Sequence, residues 1–437
     1  MIQINPKDIE LFSEQYHKDA KNQEIEKAIT QKGLEKACLN QKIIEENEFS
    51  FNLELSEPKR YDQKESLRCW IFAGINMIKR NMAQNLNIND LELELSDNYI
   101  AFFDKLEKSN DVYEKAIQAK TEDIGKFTKR LENCVTECGN YMTFLTILEK
   151  YGIIPQNAMK QAVESRNADK ITLLYREKVK KDIFELFQAK KVESKKELRK
   201  KKKQYLQENY IFLAKILGEP PTKFQYGYEN KEGKKVILKN MTPLEFKEQF
   251  LSMKMQDYIY LENCKGWEYE QKRIDTTVEN VYKKSSVKLI NMPIEELKRA
   301  TIEQLKDGVP VYMGINMLRD RKLDSGVLDI RLYNYDEMLG RKRLTKYEGI
   351  KMKERTLHHW MTITGVYLED GKAKRWKVEN SYGETEGING YLVMNDNYFE
   401  EYVMQVVVNK KYLKPKQLEL IQRKEEHSLQ YYTKETT

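Results

Sequence analysis

The stretch Asp62-Gln63-Lys64-Glu65-Ser66-Leu67-Arg68-Cys69-Trp70, running into Ile71-Phe72-Ala73-Gly74-Ile75-Asn76-Met77-Ile78, decides how the rest of the chain is read. Its second half is an apolar run of helical character, so Cys69 falls at the first turn of a helix. There the positive end of the macrodipole favours thiolate over thiol. Gln63 lies six residues upstream, near enough for its side-chain amide to fold back toward the sulfur.

Working outward, the groups that would complete a thiol site lie far downstream. Leu357-His358-His359-Trp360-Met361-Thr362-Ile363-Thr364-Gly365-Val366-Tyr367 alternates as a strand after a histidine pair. Arg375-Trp376-Lys377-Val378-Glu379-Asn380-Ser381-Tyr382-Gly383 is a second short strand ending in a polar turn. Asp370-Gly371 between them is a hairpin signal. Pairing the two strands brings a histidine at the start of one near Asn380 at the end of the other.

Cys, then His, then Asn is the chain order of papain-like cysteine peptidases, and a helix-start Cys followed by Trp is their local signature. The chain resembles the aminopeptidase C and bleomycin hydrolase family of these enzymes over most of its length. Leu95-Ser96-Asp97-Asn98-Tyr99-Ile100, Leu148-Glu149-Lys150-Tyr151-Gly152-Ile153-Ile154-Pro155, Gly308-Val309-Pro310-Val311-Tyr312-Met313-Gly314 and Gln405-Val406-Val407-Val408-Asn409 follow in family order. The resemblance implies an α+β papain-like fold: a helical lobe, a β-barrel-like lobe and a large helical insertion. It implies Cys69 as nucleophile, His359 as acid and base, Asn380 as orienter and Gln63 as oxyanion donor. His359 rather than His358 is chosen because the family's histidine precedes the position of Met361 by two residues.

The resemblance also implies substrate contacts at Gly139, Leu67 and Thr437. Gly139 follows Cys138, where the family has a first Gly, and lets an extended substrate pair with the backbone. Leu67 stands where the family usually has Gly, so it narrows or reshapes the pocket for the residue whose bond is cut. Tyr382 replaces the Trp that usually shields the His–Asn bond. The family's C-terminal carboxylate limits cleavage to the substrate's N-terminus, whereas here the chain ends Lys434-Glu435-Thr436-Thr437. The implied activity is that of a cytosolic aminopeptidase forming a thioester acyl-enzyme. The alternatives are an endopeptidase with an ungated cleft, or a scaffold or nucleic-acid-binding protein on a retained peptidase fold.

A chain of 437 residues exceeds one core's usual size, and its 27 Tyr and 15 Phe can fill more than one. The first residues contain no apolar signal segment and no run reaches membrane-spanning length, so a cytoplasmic protein without membrane contact is expected. Five cysteines, an odd number, fit a reduced compartment. Cys134 and Cys138 have helical spacing, but no other motif supports a metal site. They read as ordinary thiols, and neither metal nor organic cofactor is implied.

Net charge is +7, too small for this length to indicate nucleic acid by itself. Residues 190–203 nevertheless hold nine Lys or Arg against two Glu. That cluster reads as a solvated helical face, with a phosphate-rich partner as the other option.

Cys69 and His359 are 290 residues apart, against about 130–150 in simple papain-like enzymes. The excess divides the chain into residues 1–50 as an N-terminal helical extension and 51–160 as the helical lobe carrying Cys69. Residues 161–285 form a mainly helical insertion suited to oligomerisation, 286–412 the β-rich lobe carrying His359 and Asn380, and 413–437 a tail near the active site. In the resembled family such insertions help to build a homohexameric ring.

Overall fold

In the computed structural model, which describes residues 3–57, 60–89, 92–120, 124–128, 134–159, 161–275, 287–422 and 427–429, the apolar run forms the helix Cys69–Leu86. It is apolar nearly all round because it is central, and only Asn81, Gln84 and Asn85 escape full burial. No side chain caps its start, and it ends at Asn87 in the left-handed conformation. One flank is covered by Asp97–Gln118 and Tyr141–Tyr151. The long helices Ala168–Ala189 and Lys195–Leu217 pack on Asp97–Gln118 and share its core. Buried hydrogen bonds mark that contact: Tyr175 with Ser109 at 2.7 Å, and Asn209 to Tyr113 at 2.8 Å.

The other flank meets a sheet. At its centre Val311–Ile315 lies between His359–Glu369 and Val403–Asn409, with Lys372–Glu379 and Tyr391–Asn395 beyond His359–Glu369. The hairpin turn falls at Asp370 and Gly371, both with positive φ (50° and 74°), as an Asp-Gly turn demands. The strands of the β-rich lobe form one open sheet, with no closed barrel among the described residues. The strand after Pro310 begins at Val311, and the helix Asp396–Tyr402 separates Tyr391–Asn395 from Val403–Asn409. Phe224–Glu229 and Lys235–Met241 form a separate hairpin, and Thr242 starts the helix Pro243–Phe250 with a capping box.

Three contacts fix the helix on the sheet. The Tyr312 hydroxyl donates to the Trp70 carbonyl at 3.2 Å, and the Thr362 hydroxyl donates to that of Ala73 at 3.3 Å. Lys79 pairs with Glu379 at 3.1 Å, both side chains fully buried. Because Glu379 precedes Asn380, this pair sets where the strand end lies against the Cys69 helix.

The N-terminal segment forms Pro6–His17, Ala20–Lys32, Leu34–Cys38 and Gln41–Glu46. Cys38 and Ile43 pack on Val327, Leu332 and Tyr333. Pro6–His17 buries none of its residues, and Ile9, Leu11 and Phe12 are exposed on it. The cations of residues 190–203 are partly consumed within the fold. Arg199 and Lys202 bind Glu114, Lys201 binds Glu193, and Lys190 donates to the Ala116 carbonyl. No helix among the described residues is long and apolar enough to cross a membrane.

Candidate active site

The loop before Cys69 is built for a close return of the chain. Lys64 and Leu67 have φ of 47° and 56°, in the left-handed region that strains side-chain-bearing residues. Tyr61 and Gln63 tie this loop to the end of the Asn380 strand. Gly383 N–H donates to the Tyr61 carbonyl at 3.1 Å, and Gln63 N–H donates to that of Ser381 at 2.7 Å. The Ser381 hydroxyl donates to Gln63 Oε1 at 2.7 Å. That bond fixes the amide's orientation and leaves Nε2 as the donor end.

Cys69 is 8% exposed, at the first position of its helix. Burial pushes the thiol up to about 12, against the backbone N–H groups of Trp360, Trp70 and Cys69, which favour thiolate. The Trp360 N–H places the sulfur beside the first residues of the His359 strand. His359 is buried, and its Nε2 lies 3.0 Å from Asn380 Oδ1. Ser381 N–H donates to the same oxygen at 2.9 Å, so that atom is the acceptor. Nε2 then carries the proton, and Nδ1 is the nitrogen left for a reacting partner. Burial lowers the imidazole to about 4, the Asn380 bond opposing it. Either charge alone is thus unfavourable here, whereas moving the thiol's proton to the imidazole creates both together and lets each stabilise the other.

Tyr382 covers the pair, its ring centroid 5.3 Å from that of His359. His358 is exposed, 6.3 Å from His359 between ring centroids, so His359 is the member of the pair that meets Asn380. On the same side as Cys69, a Cβ on Gly139 would lie 2.5 Å from Trp70 Cε2. Only glycine allows that approach. Leu67 is 54% exposed on the loop that leads into Cys69. Thr437 lies outside the described residues, and the last described segment, His427–Leu429, pairs with Gln271–Asp275 at an end of the sheet.

The sequence reading missed a buried charge cluster beneath Cys69. Arg68 reaches Asp97 at 3.2 Å and Glu137 at 3.4 Å, and Glu137 also takes Lys105 at 2.6 Å. Lys108 pairs with Asp104 and donates to the carbonyls of Thr136 and Cys138, while Trp70 Nε1 donates to that of Glu137 at 2.6 Å. Three consecutive carbonyls, of Thr136, Glu137 and Cys138, are therefore held from inside on the Cys69 side. The one visible signal was Arg68 itself, a charge wedged against an apolar helix.

The Peptidase C1-like family model matches residues 3–432. Aminopeptidase E of Lactobacillus helveticus is 32% identical over 422 residues, 96% of each chain. Aminopeptidase C of Listeria monocytogenes is 32% identical over 416 residues, 94% of this chain and 93% of that protein. The crystal structure of PepW from Lactobacillus rhamnosis is similar with a TM-score of 0.92 at 30% identity, covering 96% of this chain and 95% of the other.

Proposed function

Because the chain belongs to the Peptidase C1-like family and is a cysteine peptidase of papain-like fold, we propose that it is an aminopeptidase whose nucleophile is Cys69. His359 takes the thiol proton on Nδ1, and the thiolate attacks the carbonyl carbon of the first peptide bond. The oxyanion forms against Gln63 Nε2 and the Cys69 N–H, which favour it over the ground-state carbonyl. The imidazolium then protonates the departing amine, leaving an acyl thioester. Water, deprotonated by His359, hydrolyses that thioester and frees the thiol. Asn380 holds the imidazole without adding a charge, and Gly139 and Leu67 border the substrate. The observation that carries this reading is the 3.0 Å His359–Asn380 bond beside a thiol at an uncapped helix start.

Hydrolysis of fluorogenic aminoacyl amides, with and without a thiol alkylator, tests the chemistry. Activity that survives complete alkylation of Cys69 refutes it. Restriction to N-termini is tested by comparing one peptide with a free or acetylated N-terminus. An aminopeptidase gated by the Thr437 carboxylate cleaves only the free form and loses that selectivity when the last four residues are removed. Equal cleavage of both forms by the full chain makes the protein an endopeptidase, a reading favoured by the polar ending Lys434-Glu435-Thr436-Thr437.

The same reading makes the protein a cytoplasmic homohexamer. The exposed apolar residues of Pro6–His17, which bury nothing within one chain, support self-assembly. Light scattering at micromolar concentration checks it, and a stable monomer at physiological salt refutes it.

A further inference from the structure

Past Ile315 the chain leaves the sheet beside the imidazole, since Ile315 is paired with His359 and its carbonyl accepts the His358 N–H at 3.4 Å. It returns as Arg321–Lys322, paired with Val327–Leu328, which in turn pairs with Tyr391–Asn395. Gly387 N–H donates to the Leu323 carbonyl at 2.7 Å. This small hairpin is thereby clamped to the loop that follows Tyr382.

The Arg321 backbone is fixed as well, its carbonyl accepting the Tyr333 hydroxyl at 3.2 Å. Its half-buried guanidinium lies beside the Tyr382 phenol and within electrostatic reach of His359. Neighbouring charges are consumed: Arg319 by Glu354, Lys322 by Asp324, and Asp320 by Arg343. Arg321 makes no ion pair with a carboxylate among the described residues. Glu386 and His358 face the same surroundings, one on Tyr382 and one on His359.

The imidazole must reach the departing amine, so the space beyond His359 and Tyr382 belongs to the residue attached to that amine. We propose that Arg321 is a specificity-determining residue that binds a carboxylate on the leaving side of the scissile bond. A guanidinium suits this role because its planar fork meets both carboxylate oxygens. The carboxylate has two sources: an Asp or Glu side chain directly after the cut, or the terminal carboxylate of a dipeptide. The inference rests on the roles proposed for Cys69 and His359.

Three substrates separate the possibilities. They share the N-terminal residue best accepted in the fluorogenic assay, followed by glycine amide, by free glycine or by aspartic acid amide. kcat/KM is measured for wild type, Arg321→Met and Arg321→Lys, with thermal melts to confirm folding. In wild type at least one carboxylate substrate exceeds the neutral one by about 10-fold, chiefly through KM. Whichever does so identifies the source. That ratio falls toward one in Arg321→Met and is partly kept in Arg321→Lys. Equal use of all three substrates by wild type, or a preference that survives in Arg321→Met, overturns the inference alone. Failure of wild type to cleave any of them, or cleavage by Cys69→Ala, overturns the proposed function and this inference with it.

Discussion

On the thiol wall of the cleft, Gln63 and Cys69 sit on a loop and a helix start, with two left-handed residues between Asp62 and Arg68. On the imidazole wall, His359 and Asn380 sit on adjacent strands, placed by a ladder in which Thr362 opposes Glu379. The strand wall obtains its geometry from register, which a two-residue turn and an alternating pattern determine. The loop wall has no ladder. It relies on buried ion pairs, Arg68 with Asp97 and Glu137 and Lys105 with Glu137, in which every charge depends on its partners. Damage to the two walls should therefore look different: lost chemistry at the strands, lost stability beneath the loop.

The largest effects are expected at the groups proposed to react. Cys69→Ala and His359→Ala should each lower kcat/KM by at least about 10⁴-fold while thermal unfolding stays cooperative. His358→Ala, at an exposed ring outside the Asn380 bond, should change it by less than about threefold. The reverse order within the histidine pair would mean that the hairpin presents the other side chain.

Glu137→Gln probes the loop wall. Burial raises the Glu137 carboxyl, and Lys105, then Arg68, more than offset this, so it is held below the usual range. Replacing it leaves Lys105 and part of Arg68 buried without their partner. A loss of about 3 kcal/mol in denaturant unfolding is expected. A stability within 1 kcal/mol of wild type would show that the cluster is not what holds this wall.

The contrast also explains what could be read from the chain. Asp370-Gly371 and the flanking alternation made the hairpin legible, and with it the approach of His359 to Asn380. Lys79 with Glu379 and Arg68 with Glu137 were not, because partners so distant in sequence leave no periodic trace. The helix Asp396–Tyr402 was hidden inside an aromatic, strand-like segment, its start marked only by Asn395. Gly139 was legible as a place needing glycine, but the contact that demands it, the Trp70 ring, emerged only from packing.

A third test isolates the imidazole from the thiolate. In Cys69→Ala no thiolate can form, and burial should keep His359 neutral until about pH 4, against 6.5 for an ordinary histidine. Between those values the unfolded chain binds a proton that the folded chain does not. Stability should accordingly fall as the pH drops from 6.5 through 4, more steeply than in a Cys69→Ala, His359→Gln control. NMR titration of the imidazole reads the same quantity directly. A midpoint near 6.5 in Cys69→Ala would mean that solvent reaches the ring and that Tyr382 does not cover it.

The smallest expected effect is at Leu67, where the loop wall carries a strain the strand wall lacks. A branched side chain at φ 56° costs about 1 kcal/mol relative to glycine in the same conformation. Glycine, however, gains more freedom in the unfolded chain, which offsets part of that relief. Leu67→Gly should therefore change stability by less than about 1 kcal/mol in either direction. Its visible consequence should be in selectivity, because Leu67 is more than half exposed on the loop that leads into Cys69. Removing it should raise kcat/KM for bulky N-terminal residues relative to alanine, by about fivefold. A panel of aminoacyl amides measures this. An unchanged ranking across the panel would show that the exposed side chain points away from the substrate, leaving the pocket's size to other residues.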